Sequence, residues 1–135
     1  MSTGNPTDDG AEGLFARGAV LFDAGHYFAA HDVWEELWTG YRGPLRNFYK
    51  GLIQSAVALY HYSRGNLHGA RKLWRSSTEY LRPFAPLCRG LDVDRFLAEH
   101  ERCFADVMAS DAPQPLAQRL PPRFHPPREG VGASS

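Results

Sequence analysis

Between Pro44 and Gly65 the chain carries Leu45, Phe48, Leu52, Ala56 and Leu59 at spacings of three and four, and Tyr49, Ile53, Val57 and Tyr60 fill the positions beside them. An apolar stripe of helical period that widens over most of the circumference predicts a helix over 45–64 with other helices packed around it. The flanking segments carry narrower stripes of the same period. Leu14, Gly18, Leu21 and Phe22 share one face, and Tyr27, Ala30, Trp34, Leu37 and Trp38 share another. Leu67, Ala70, Leu73, Trp74, Ser77 and Leu81 form a third stripe, and Val93, Phe96, Leu97, His100, Phe104, Val107 and Met108 a fourth. Nothing alternates with period two over a useful length. The expected fold is all-α, a compact bundle of about five helices.

Turn-forming residues separate these segments. Asp9 with Glu12 three residues on reads as a capping box, Gly25 as a stop, and Pro44 as the first residue of the central helix. Gly65 stops that helix, Asn66 and Asp92 are predicted caps, and Pro83 and Pro86 end the fourth helix. A shift of forty residues aligns Gly25 with Gly65, Tyr27 with Leu67, Ala30 with Ala70 and Trp34 with Trp74. The pattern is that of two pseudo-repeated helical hairpins, similar to tetratricopeptide repeats but fewer than the three copies such arrays need. Six of the ten prolines lie between Pro113 and Pro127. The expected organisation is a polar tail over 1–10, one helical domain over 11–110, and a Pro-rich extended or disordered tail over 111–135. Leu116, Leu120 and Phe124 are the residues by which that tail would lie across the domain.

A length of 135 residues suits a single core, and a net charge of zero excludes a globally basic nucleic-acid binder. No apolar run reaches membrane-span length, and MSTGNPTDDG lacks the regions of a signal peptide. Two cysteines, Cys88 and Cys103, are too few for a disulfide framework, so a cytoplasmic protein with reduced thiols is expected. Arginine beside each could lower its pKa, but neither has a histidine or second cysteine next to it. Charge is uneven along the chain: residues 1–40 carry net −6, 41–82 net +7 and 83–135 net −1. The basic middle segment, with Tyr41, Tyr49 and Trp74 for stacking, fits phosphate or RNA binding. The reading preferred here is an acidic first hairpin folded against a basic second one.

The stretch FDAGHYFAAHDVWEELW is densest in functional side chains. His31 and Glu35 are one helical turn apart and share a face, where they chelate a divalent metal, orient a proton-handling imidazole, or hold two helices in register. Gln54 and His61 share a face of the central helix, and antiparallel packing would bring them to His31 and Glu35. The candidate catalytic residues are therefore His31, Glu35 and His61, with Gln54, Arg46 and Lys50 as ligand contacts and Arg46 or Lys50 supplying charge for a small anionic ligand. No metal is assigned, since a third ligand would have to come from His61, and no cofactor is indicated. Hydrolysis or proton transfer suits these side chains better than redox chemistry. His26 and His68 are expected in solvent, His100 in the core and His125 in the tail. Trp34, Trp38 and Trp74 are expected in the core.

Three motifs in order carry a family resemblance. They fall on Gly25, Tyr27, Ala30, His31, Asp32, Trp34, Glu35 and Trp38; on Phe48, Lys50, Gly51, Leu52, Ile53, Gln54 and Ala56; and on His61, Gly65, Asn66, Gly69 and Ala70. Over roughly residues 12–110 the chain resembles the bacterial and archaeal family called domain of unknown function 309. The resemblance implies an all-helical fold, no assigned activity, and His31, Glu35, Gln54 and His61 as motif positions. Lys50 departs from the glutamine that family often has there. Two functional classes follow: a polar ligand- or proton-handling pocket between the second and third helices, or a non-enzymatic interaction or homodimerisation module using Tyr41, Tyr62 and the tail.

Overall fold

A helix must stop before the next can fold back on it, and glycine makes both such stops. The computed structural model describes residues 6–124, and in it α1 (Pro6–Asp23) and α2 (Tyr27–Gly40) form one hairpin, α3 (Arg46–Ser63) and α4 (Leu67–Leu81) the other. Gly25 and Gly65 take φ of 85° and 78°, left-handed backbone that other residues adopt at a cost. Gly25 donates to the Phe22 carbonyl and His26 to that of Leu21, at 3.0 and 2.9 Å. Gly65 and Asn66 repeat this with Tyr62 and His61, at 3.0 and 2.8 Å. Both are Schellman closures, so the forty-residue repeat is a repeat of turn chemistry. Ala30 and Ala70 are fully buried just beyond the turns, as the repeat requires. The likeness ends at the tryptophans. Trp34 is buried and donates to the Phe15 carbonyl at 3.2 Å, while Trp74 is only partly covered.

The central helix is where the sequence puts it. Phe48, Leu52, Ala56 and Leu59 are fully buried, and α3 packs on α2 along one side and α4 along the other. Gly51 permits the close approach of α4, because a Cβ there would stand 2.7 Å from Leu81 Cγ. Two expected starts move. Helix α1 begins at Pro6, so Asp9 stands inside it, and Glu12 reaches Arg89 across the fold at 2.6 Å instead of closing a capping box. Helix α3 begins at Arg46, because Gly43 and Pro44 are spent on a turn in which the Arg46 amide donates to the Gly43 carbonyl at 3.3 Å. The caps Asn66 and Asp92 form as expected, accepting from Gly69 and Arg95 at 3.0 Å each.

After α4 comes a short 3-10 turn (Arg82–Phe84) and then a two-stranded ribbon, β1 (Leu87–Cys88) and β2 (Leu91–Asp92), pairing Leu87 with Asp92 and Cys88 with Leu91. Arg89 and Gly90, at φ of 54° and 77°, make its turn; positive φ at both central residues is the type I′ pattern that suits a tight hairpin. The ribbon leads into α5 (Val93–Ala109), which crosses the hairpins and completes the core. Among the described residues no helix is long and apolar enough to cross a membrane.

His100 sits at the junction of α3, α4 and α5, fully buried, with Nε2 3.2 Å from both Ser55 Oγ and Ser77 Oγ. Ser77 commits its own proton to the Trp74 carbonyl at 3.0 Å, so its oxygen accepts from the imidazole and the network assigns the ring proton to Nε2. Burial pushes the imidazole pKa down from 6.5 to about 3.

The C-terminal segment packs against the core as far as Phe124. That ring lies 6.0 Å from Phe15, 5.6 Å from Phe22, 5.5 Å from Trp34 and 5.7 Å from Phe96, and its amide donates to Asp23 Oδ1 at 2.9 Å. Arg119 ties the strap to α5 through the Arg102 carbonyl at 2.6 Å, and the Tyr62 hydroxyl donates to the Gln114 carbonyl at 2.6 Å. Proline cannot join a ladder, yet the amides between prolines find carboxylate partners, so an extended strap docks without secondary structure. Leu116 is partly buried, but Leu120 is 88% exposed and does not anchor the strap. Residues 1–5 and 125–135, His125 included, lie outside the described residues.

Two measurements check this packing. Phe124→Ala should cost about 2 kcal/mol in urea unfolding, less than a fully buried Phe would lose, because the ring is partly covered. For His100, the unfolded ring takes a proton below pH 6.5 that the folded ring refuses until about pH 3. Stability is thus complete above that window and falls within it by up to about 1.4 kcal/mol per pH unit. In acid-unfolding titrations His100→Asn should lack this part of the slope.

Candidate functional site

Helix α2 presents His31, Glu35 and Trp38 at spacings of four and three on the side that meets α3. Glu35 Oε1 lies 3.0 Å from His31 Nε2, and Asp32 Oδ1 lies 3.3 Å from Nδ1. The Asp32 approach is short but misaligned, so Nδ1 is buried without a hydrogen bond. The imidazole is 19% exposed and the Glu35 side chain 50%, so the pair sits at the rim of the core with its carboxylate in water.

The antiparallel register follows from the rings. Phe28 packs on Tyr60 at 5.1 Å, and Trp38 lies beneath Lys50 Nζ at 5.1 Å, so the stretch from His31 to Glu35 runs level with the part of α3 that holds Gln54. Gln54 Oε1 is buried with no hydrogen-bond partner, and so is Trp38 Nε1. One seam therefore contains a free acceptor, a free donor and a free imidazole nitrogen. Lys50 Nζ lies between the Trp38 and Tyr80 rings, 5.1 and 5.7 Å from their centroids, where α2, α3 and α4 meet.

The other expected site residues are engaged elsewhere. His61 makes no hydrogen bond or ion pair to His31 or Glu35; its Nδ1 lies 3.3 Å from Asn66 Nδ2, and its ring covers Gly69, where a Cβ would stand 2.9 Å from His61 Cδ2. The motif His61, Asn66, Gly69, Ala70 is thus a lock on the α3–α4 turn. Arg46 donates to the Trp38 and Tyr41 carbonyls at 2.7 and 2.6 Å, and its guanidinium stacks 3.9 Å above the Trp38 ring. It closes the C-terminus of α2, where orphan carbonyls and the helix dipole favour a cation. Trp38 is consequently a half-covered edge residue, not core. Among the described residues no three His, Cys, Asp or Glu side chains are grouped to hold one metal ion.

The charge pattern resolves differently from the expectation. No ion pair among the described residues joins an acid of residues 1–40 to a base of 41–82; Glu12 pairs with Arg89 and Asp23 with Arg123. Arg71 turns inward to the Val107 and Ser110 carbonyls at 2.7 and 2.9 Å, closing the end of α5. Lys72 and Arg75 remain exposed. Both cysteines are free, and burial pushes both thiols up, Cys103 to about 12, which leaves them poor nucleophiles at neutral pH.

Two cavities open along the C-terminal strap. One of about 570 Å³ lies between the end of α1, Tyr27, α5 and residues 118–123. The other, of about 740 Å³, lies between the two hairpin turns and residues 111–121. His31, Glu35, Gln54 and His61 line neither. No motif marked these cavities in the sequence, because the strap supplies much of their walls.

Comparison with known proteins places the likeness in the hairpins. An uncharacterized protein of Bacillus subtilis (strain 168), YpuF, is 41% identical over 56 residues, which are 41% of this chain and 32% of that protein. An uncharacterized protein of Aquifex aeolicus (strain VF5) is 30% identical over 54 residues, 39% of this chain and 16% of that protein. The chain thus spans a third or less of the length of these relatives. No solved structure matches it significantly. The family whose model matches is described as a domain of unknown function, DUF309; the match covers residues 15–73, which holds all three motifs but is shorter than the expected 12–110, and within that stretch the chain resembles this family.

Proposed function

We propose that the α2–α3 face binds a small polar or anionic ligand, with His31 as the proton-exchanging contact and Glu35 as the carboxylate that orients it. Gln54 supplies an amide from the facing helix, Lys50 a positive charge, and His61 borders the site at the α4 end, while Arg46 holds the frame. The proposed setting is the cytoplasm. One observation carries the reading: His31 Nδ1, Gln54 Oε1 and Trp38 Nε1 are all buried without hydrogen-bond partners along one seam. Buried unpaired groups cost about 1–3 kcal/mol each, a cost a bound ligand would offset.

Native mass spectrometry of the untagged protein beside urea unfolding tests it. A small molecule carried by wild type and lost from His31→Gln and Glu35→Gln, with stability changed by less than about 0.5 kcal/mol, is the expected result. A bare wild-type mass with about 1–3 kcal/mol lost in either variant would instead make the pair a structural hydrogen-bond network.

An interaction module is the second reading, favoured by Phe28 and not by the expected exposed aromatics, since Tyr62 is buried and Tyr41 half-buried. That side chain is 52% exposed, and its ring packs 5.3 Å from His31 and 5.1 Å from Tyr60 on the same face. An exposed aromatic flanked by polar groups is the usual anchor of a protein interface. If two copies associate through it, Phe28→Asp should convert a dimer to a monomer in sedimentation velocity.

A further inference from the structure

The cavity of about 570 Å³ is of the size that encloses a small organic ligand. Its deep wall is Phe22, Tyr27 and Cys103, which are 1%, 8% and 1% exposed. Tyr27 is the informative residue. It lines this cavity and the neighbouring one, yet among the described residues its hydroxyl makes no hydrogen bond. Burial pushes its pKa up to about 12, so at neutral pH the group is an O–H donor. The ring of Tyr27 is packed while its hydroxyl opens on the cavity without a protein partner, so a ligand's acceptor can reach it there.

The rim decides the sign of the ligand. Three arginines and two acids line the cavity, and both acids are occupied: Asp23 accepts from the Phe124 amide at 2.9 Å, and Glu99 bridges Arg95 and the Arg123 amide at 3.2 Å each. Arg119, on the strap, is committed to the Arg102 carbonyl and Asp106 of α5. Arg102 has an exposed side chain with no ion pair among the described residues, and Arg123 keeps only a 4.0 Å approach to Asp23. Leu120, 88% exposed, adds an uncovered apolar surface beside them. One neutral donor and an uncommitted guanidinium beside two acids suit a single negative charge; a phosphate dianion would want more cation than this rim offers.

We propose that this cavity is a binding site for a monocarboxylate with an aromatic or aliphatic body, the carboxylate held by the Tyr27 hydroxyl and Arg102, the body lying against Leu120 and Pro121, the accessible apolar lining. The site is distinct from the α2–α3 face, since none of His31, Glu35, Gln54 or Lys50 lines it.

The probe is 3-phenylpropionate, with 3-phenylpropanamide as its uncharged counterpart, in calorimetric titrations of the full chain. The acid should bind at sub-millimolar concentration and the amide at least about tenfold more weakly. Tyr27→Phe and Arg102→Gln should each weaken the acid by about tenfold, and Arg102→Gln should leave the amide unchanged. His31→Gln should bind the acid as wild type does, which separates this site from the α2–α3 face. Acid and amide binding alike, no binding of the acid at millimolar concentration, or undiminished binding by Arg102→Gln would each overturn the proposal. Arg102 lies on the surface, so that variant folds whatever Tyr27→Phe does.

Discussion

Helix α5 has to be held without the close backbone packing that joins the hairpin helices, and its attachment depends on one buried imidazole. Helices α3 and α4 can approach closely because Gly51 leaves room, and Ala58 and Ala70 are small and fully buried. Helix α5 meets them through large side chains, Phe96, His100 and Phe104, all fully buried. Aromatic contacts alone leave rotation and sliding poorly specified. His100 removes that freedom, because its Nε2–H has to meet the two serine oxygens, even though its Nδ1 is left buried without a partner. Arg71 and Arg119 then tie the far end of α5 to α4 and to the strap. The smaller cavity depends on that placement, because α5 forms one of its walls.

Cations do more of this work through carbonyls than through carboxylates. Arg46 closes α2, Arg71 closes α5, and Arg119 binds the Arg102 carbonyl. A planar guanidinium can satisfy two acceptors at once, which an ammonium does with less geometric definition. Among the described residues the uneven charge along the chain therefore does not become hairpin-to-hairpin ion pairing. Two of the eight bases in the middle segment are internal clamps, and Glu12 and Asp23 of the first hairpin look to Arg89 and Arg123.

What the sequence makes legible follows the range of the forces involved. Helix periodicity, the Gly25 and Gly65 stops and the Asn66 and Asp92 caps are local, so spacing and residue type reveal them. His100 is also legible as a core histidine, because it stands on an apolar stripe, though its serines come from other helices. The ribbon at Arg89 and Gly90 has strands too short to show a period. The Asp9 cap fails because the helix continues upstream of it. Phe124 is hidden in a proline-rich stretch that reads as a tail, since its socket is assembled from α1, α2 and α5 and no local rule describes it. His31 and Glu35 are legible as a pair from their spacing alone. That His61 turns to Asn66 is not, because cap geometry at the next helix decides it.

The motif residues divide by what the fold asks of them. Gly25, Ala30, Trp34, Gly51, Leu52, Asn66, Gly69 and Ala70 each have a turn, a close approach or a packed face to account for their identity. His61 joins them through the turn lock. Packing does not demand the half-exposed Glu35, and it leaves Gln54 Oε1 and His31 Nδ1 unpaired. These polar atoms lie in the stretch 15–73 that resembles other proteins, whereas α5 and the strap that wall the smaller cavity lie outside it. Because Tyr27 ends the first turn and faces the strap, it is the one side chain that stands in both the matched stretch and the cavity wall with its hydroxyl unspent.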